Sequence, residues 1–370
     1  MKKFKSSLDV MRRLRHRLMF YLLILLSMWS CLVNPQKERF DINAGIGRVT
    51  VNEVDIQVKF APLALVGGVI EARAQRPTLE VTFQSRNAAA VNLAFKLKNM
   101  RQDALPVASA GTISAGERAG IVNWNITIAA GQALSANVEN FPGGGAYRFG
   151  VVGDMHYRNS TATLIANSAA SRGLDFFIVV GDFVNQPNDD EYNWALAISE
   201  KFGGPVYTAY GNHEGFRSGY MNYYRNLFGT TNYSFTHKGD FFLILDSADQ
   251  SISREIFRYA ESELAASPAA LKMVFMHVPP FDDTGMRNNS FNSRFQAARF
   301  MNMVLDQGVD VVFAGHIHTY QDFWVDNVRH VVVGTGGGRP EQFDGVGIRY
   351  VIIHSSGGGY ALETVDLGPD

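Results

Sequence analysis

The sequence predicts an all-β sandwich followed by an α/β domain, and three observations carry that prediction. Between residues 39 and 142 short apolar runs alternate with turn residues, and no helical stripe interrupts them. Pro142-Gly143-Gly144-Gly145 is the clearest break in the 370-residue chain. From residue 146 to 370 strand-like runs alternate with helical ones, the grammar of an α/β domain.

Residues 1–35 are expected to stand outside both domains. Lys2, Lys3, Lys5, Arg12, Arg13, Arg15 and Arg17 face a single acid, Asp9, and lead into Leu18 to Trp29, which carries no charge. A basic opening followed by an apolar run is the pattern of a signal peptide or a short membrane anchor. The run is short for a spanning helix, which needs about 20 apolar residues. Met28-Trp29-Ser30-Cys31 is similar to a bacterial lipobox, whose Cys is lipid-modified, although Met28 and Trp29 depart from the usual pattern. A lipidated Cys31 and an uncleaved N-terminal anchor both tether the chain to a membrane and place the rest outside the cytoplasm, in the periplasm or at the cell surface. Cys31 is the only cysteine, so no intrachain disulfide supports the fold. Beyond it lie 27 basic and 34 acidic residues, a balance that argues against a nucleic-acid-binding surface.

In the first domain the runs are Val49 to Val51, Asp55 to Phe60, Leu79 to Phe83, Val91 to Leu97, Ile121 to Ile128 and Leu134 to Val138. Alternation is plain in Val91-Asn92-Leu93-Ala94-Phe95-Lys96-Leu97, as half-buried strands require. No cluster of His, Asp or Glu interrupts these runs, so the sandwich reads as a packing or positioning module.

In the second domain Phe149 to Val152 reads as a strand, Ala162, Ile165, Ala166, Ala169 and Ala170 as a helix, and Phe176 to Val180 as a strand. Trp194, Ala197, Ile198 and Phe202 mark the next helix, before Val206 to Tyr210. Tyr233 to His237 and Phe241 to Asp246 read as a hairpin around Gly239-Asp240. Ile256, Tyr259, Ala260 and Leu264 form a helical stripe before Lys272 to Val278, and Ala297, Phe300, Met301, Val304 and Leu305 another before Val309 to Ala314. The closing runs, Val328 to Val333, Arg349 to His354 and Tyr360 to Val365, read as antiparallel strands, which makes the whole a mixed sheet or two sheets.

Five of these strand-like runs end in side chains able to ligate a metal: Asp154 and His156; Asp182; Asn212 and His213; His277; His316 and His318. Singly, each has an ordinary structural reading, Asp182 as a helix cap or His277 as a satisfied core histidine. Together they fall at the carboxyl ends of strands, where open α/β sheets gather ligands.

The order Asp154-x-His156, Gly181-Asp182, Gly211-Asn212-His213-Glu214, a lone His277 and Gly315-His316-x-His318 resembles the calcineurin-like metallophosphoesterases, over about Tyr147 to Asp366. The resemblance implies a four-layer α/β/β/α sandwich and a centre of two metal ions. It implies that Asp154, His156 and His318 bind the first ion, that Asn212, His277 and His316 bind the second, and that Asp182 bridges both. His213 would stand beside the ions without ligating them, as general acid or charge stabiliser, followed by Glu214. Two divalent ions about 3.5–4 Å apart need a shared anion, and water held between them is a hydroxide at neutral pH, able to attack phosphorus in line. The mixture of N and O donors suits Mn, Fe, Zn, Co or Ni alike, as divalent or trivalent ions. Purple acid phosphatases typically lack the histidine of the first motif and use a tyrosine three residues after the bridging aspartate. Here His156 is present and that position is Asn185, so the protein should not be purple.

On the substrate side, Arg217 and Arg287 are candidates to contact phosphate oxygens, and Tyr320 and Phe323 either stack on a base or pack under their strand. His237, His330 and His354 read as ordinary residues. Gly334-Thr335-Gly336-Gly337-Gly338 has no following helix with Lys-Ser/Thr, so it reads as a tight loop near the metals rather than a nucleotide cradle. The expected activity is hydrolysis of small-molecule phosphate mono- or diesters. Its rivals are a cyclic-nucleotide phosphodiesterase with the same ligands and a catalytically silent surface-binding protein.

Overall fold

The computed structural model describes residues 46–215, 220–283, 289–339 and 346–369. The opening segment with Cys31 lies outside them. Among the described residues no helix is long and apolar enough to cross a membrane.

The first region is a sandwich of two five-stranded sheets. One sheet runs β1 (Ile46–Val51), β2 (Val54–Lys59), β5 (Thr78–Ser85), β10 (Ala133–Glu139) and β7 (Val107–Ala108), in that spatial order. The other runs β3 (Leu63–Val66), β4 (Val69–Arg73), β6 (Val91–Lys98), β9 (Ile121–Ile128) and β8 (Thr112–Ala115). All pairs are antiparallel except β4 with β6. Inward positions of β5, β6 and β9 interleave Phe83, Phe95 and Trp124, with Phe95 and Trp124 ring centroids 4.8 Å apart. The six expected strands are present. The short strands β3, β4, β7 and β8 were not legible, because β3 and β8 lie largely exposed on sheet edges and lack an apolar alternation.

The second region holds two sheets face to face, flanked by helices, as expected. The first sheet has the order β13 (Val206–Ala209), β12 (Phe176–Val180), β11 (Tyr147–Val152), β20 (Arg349–Ser355) and β21 (Tyr360–Asp366). The second runs β14 (Tyr233–His237), β15 (Asp240–Ile244), β16 (Lys272–Phe275), β17 (Val311–Ala314), β19 (Val328–Val333) and β18 (Tyr320–Val325). Phe149, Ile178, Phe275, Phe313 and Val351 belong to the apolar layer between the sheets. Helices α1 (Asn159–Ser171), α2 (Asp189–Ser199) and α3 (Tyr220–Phe228) pack on the first sheet's outer face. Helices α4 (Arg254–Ala266) and α5 (Arg294–Asp306) cover the second, with Arg299 of α5 lying over the Phe257 ring of α4. Of the three closing strands, β20 and β21 are antiparallel as expected. β19 is instead parallel to β17 and antiparallel only to β18, since the chain reverses through the β18 edge before returning.

The two regions meet through amide side chains. Asn99 donates from Nδ2 to Val206 O at 3.0 Å and accepts at Oδ1 from Val206 N at 2.9 Å, so one side chain closes the free edge of β13. Gln75 makes the same paired contact with the backbone of Thr230.

Candidate metal centre

Each candidate sits two to four residues beyond a parallel strand. β11 delivers Asp154 and His156, β12 delivers Asp182, β13 delivers Asn212 and His213, β16 delivers His277, and β17 delivers His316 and His318. The turns are tight enough to force unusual backbone. Asp154 (φ 63°), His156 (46°), Tyr157 (61°), Asp182 (51°) and His316 (69°) are all left-handed without being glycine, a conformation that costs roughly 1–2 kcal/mol per residue. Hydrogen bonds between neighbouring turns hold them: Asp154 N–H to Gly181 O at 3.0 Å, His156 N–H to Asp182 O at 3.0 Å, and His316 N–H to Asp154 Oδ2 at 2.8 Å. Gly211 is needed because a Cβ there would stand 2.3 Å from Asp182 Oδ1.

The five turns converge. Asp154, His156 and His318 offer donor atoms within 4.8 Å of one another, as do Asp182, His277 and His316, and also His156, Asp182 and His213. Asp182 Oδ2 lies 3.2 Å from His277 Nε2, 3.7 Å from His156 Nε2 and 3.9 Å from His213 Nε2. Asn212 Oδ1 is 2.9 Å from His277 Nε2. Three imidazoles are oriented by backbone carbonyls, which only accept: His277 Nδ1 donates to Val180 O at 2.9 Å, His318 Nδ1 to Arg339 O at 2.8 Å and His213 Nδ1 to Asn185 O at 2.8 Å. In the neutral ring Nδ1–H then leaves the Nε2 lone pair facing inward.

The electrostatics fit cations. Asp154 and Asp182 are at most 1% exposed. Burial pushes both carboxyls up, but the surrounding imidazoles outweigh it and hold Asp154 well below, and Asp182 below, the usual range. His277 is pulled the other way: burial lowers its pKa, Asp182 raises it, and it ends at about 10. Burial first, and then His277, drive His316 down to about 4. Within the centre two buried atoms make no hydrogen bond, Asp154 Oδ1 and His316 Nε2, and His156 Nε2 and His318 Nε2 face each other at 3.0 Å. Orphaned buried polar atoms are costly, and a two-cation centre would satisfy these; the donor set fits one.

Glu214 has a role that its place after His213 in the sequence does not signal. Its carboxylate is 1% exposed and turns away, accepting from Gly211 N at 2.8 Å, Asp182 N at 2.9 Å, Phe183 N at 2.7 Å and Val184 N at 3.3 Å. It straps the Asp182 turn to the Asn212 turn. Burial, then Asp182, raise its pKa to about 7. Adjacency to His213 gives no sign of this role, because three of the four amides lie some thirty positions earlier in the chain.

The Gly334–Gly338 loop lies against the centre, with Gly338 N–H donating to Asp154 O at 2.7 Å. Arg217 and Arg287 lie outside the described residues. Phe323 stacks on His330 (5.4 Å, 11°) and meets Phe281 edge-on, while the Tyr320 hydroxyl bonds Asp322 at 3.2 Å. His354 is paired with Glu363 at 2.9 Å, away from the centre. Sequence reasoning passed over Arg158 and Arg339, both exposed beside this centre, and Tyr157; only their adjacency to His156 and the Gly-rich loop signalled them.

Residues 147–320 match the family model of the calcineurin-like phosphoesterases. In structure the chain is similar to the purple acid phosphatase PPD1 from yellow lupin (Lupinus luteus) seeds, with 15% identity and a TM-score of 0.53 over 84% of this chain and 72% of that one. PhoD aligns over 89% of this chain and 92% of its own at 11% identity and a TM-score of 0.47. A dimetal phosphatase from Danio rerio aligns over 60% and 99% at 12% and 0.45. No curated protein matches the sequence.

Proposed function

We propose that this chain, whose residues 147–320 belong to the calcineurin-like phosphoesterases and which is a metal-dependent phosphoric ester hydrolase, cleaves small phosphomonoesters or phosphodiesters outside the cytoplasm. The observation that carries the reading is the convergence of five ligand-type side chains and His213 on the two buried carboxylates Asp154 and Asp182, all delivered by five strand ends. In this reading Asp154, His156 and His318 hold one metal, Asn212, His277 and His316 the other, and Asp182 both. Bound there, two such ions would polarise phosphoryl oxygens and supply a nucleophile from water at neutral pH.

The protein's own part is orientation and proton transfer. Val180 O and Arg339 O fix the rings of His277 and His318, and Glu214 fixes the turns that carry Asp182 and Asn212. With Nδ1–H committed to Asn185 O, His213 can give a proton only from Nε2 of its imidazolium form, and the departing alkoxide would receive it there.

Asp182→Asn should lose bound metal and activity together. His213→Asn should keep both metals and lower kcat by about 10²-fold or more; loss of the metals in that variant would refute the role given to His213. Metal analysis with p-nitrophenyl phosphate, bis-p-nitrophenyl phosphate and 2′,3′- and 3′,5′-cyclic nucleotides separates mono- from diesterase and from the cyclic-nucleotide reading. Metal-loaded protein that turned over none of them would favour a silent binding protein. The tether rests on the basic, then apolar, residues 1–31. Cys31→Ser should block processing of a lipoprotein, and unchanged size and membrane association would favour an uncleaved anchor.

A further inference from the structure

Tyr157 follows His156 directly, and nothing in the metal chemistry requires an aromatic residue there. Its backbone is left-handed at φ 61°, uncommon for a bulky side chain and a mark of a functional turn more often than of a structural one. The conformation is held from below, by Tyr157 N–H donating to Phe183 O at 3.2 Å and Arg158 N–H to Met155 O at 2.9 Å. The residue gains little burial in return, remaining 44% exposed. It meets Trp194 edge-on at 5.1 Å and 79°. Trp194 in turn is edge-on to Phe183 at 5.8 Å and anchored by Nε1 donating to Asn159 Oδ1 at 3.0 Å.

These contacts place the pair on one side of the centre. Phe183 lies two residues before Asn185, the carbonyl that orients His213. The ring of His156 is edge-on to that of His213 at 4.4 Å. The aromatic pair therefore borders the side where His213 stands, which in the hydrolase reading above is the side of the leaving group.

We propose that Tyr157, backed by Trp194, is a specificity-determining residue, a platform on which a flat unsaturated ring carried by the leaving group packs. The inference rests on the hydrolase reading and narrows it to phosphate esters of aryl alcohols or of nucleosides. The edge-to-face contact with Trp194 holds the Tyr157 ring while the residue stays 44% exposed, and stacking of a ring on such a platform changes affinity roughly ten- to hundredfold.

The test uses full-length, metal-loaded protein and three phosphonates whose P–C bond is not hydrolysed: phenylphosphonate, a nucleoside 5′-phosphonate and methylphosphonate, titrated by calorimetry. Tyr157→Ala should weaken a ring-bearing phosphonate tenfold or more and methylphosphonate far less, and Tyr157→Phe should restore the wild-type preference. Loss confined to phenylphosphonate assigns aryl esters; loss confined to the nucleoside phosphonate assigns nucleotides. Equal weakening of all three, no weakening of any, or wild-type protein that binds none of them overturns the platform. Parallel assays of phenyl phosphate and glycerol phosphate keep the two claims apart: ring-selective binding without turnover of either ester would sink the hydrolase reading and leave the ring preference standing.

Discussion

The two regions of this chain are both pairs of packed sheets, yet they place their charge and their strain differently. In the sandwich the core is aromatic and aliphatic around Trp124, and among the described residues no carboxylate is buried there. Ion pairs such as Arg86 with Asp55 at 2.6 Å lie on its surface. Its left-handed residues, Asn52, Glu53, Phe60 and Asn99, serve turns and strand ends. The α/β region buries Asp154, Asp182 and Glu214 almost completely and collects left-handed residues at the strand ends that meet. Apolar layers suffice to hold two sheets together; strain and buried charge accumulate where a site is built on them.

The sharpest way to break that contrast is at Glu214. Glu214→Ala strands four amide donors, and it is expected to cost about 3 kcal/mol or more of stability together with most of the bound metal. Retained metal in a stably folded variant would show that the strap is dispensable. Trp124→Ala should cost a comparable about 3–5 kcal/mol but leave metal stoichiometry untouched, as denaturant titration beside metal analysis would read; metal loss there would mean that the regions are not separable in this way. The smallest effect concerns His237, 4% exposed and packed edge-on to Phe141, Tyr147 and Phe176. Burial, with Lys238 adding to it, lowers its pKa from 6.5 to about 3. The folded state binds fewer protons than the unfolded one in that interval, so this contribution is complete above pH 6.5 and declines as pH falls toward 3. His237→Phe should flatten the acid limb of a stability-against-pH curve, by up to a few kcal/mol, and an unchanged slope would assign the acid sensitivity elsewhere.

The catalytic half was legible because the long apolar runs that lead to candidate ligands end abruptly in a polar residue, four of the five through a glycine, so the strand and the candidate ligand announce each other. What escaped were elements without a clear apolar pattern, and features set by residues remote in sequence. Tyr220–Phe228 is helical although its tyrosines and asparagines make no aliphatic stripe. Tyr320–Val325 is an edge strand whose side chains are mostly half-buried or exposed, with little of the in-and-out alternation that reveals a strand. The parallel pairing of β19 with β17 is a property of sheet order, which periodicity does not encode. Glu214 illustrates the same limit within the site: its partners are backbone amides of residues 182–184, some thirty positions away.

Asn99 gives the sandwich a further meaning. Val206 belongs to the outermost strand of its sheet, and a strand in that place exposes a row of amides and carbonyls to any passing chain. By presenting a primary amide to Val206 N and O, Asn99 acts as a one-residue counterfeit of a neighbouring strand. The leading module is then an insulator as well as a spacer, and a truncated hydrolase half would carry a self-association risk that the intact chain has already met.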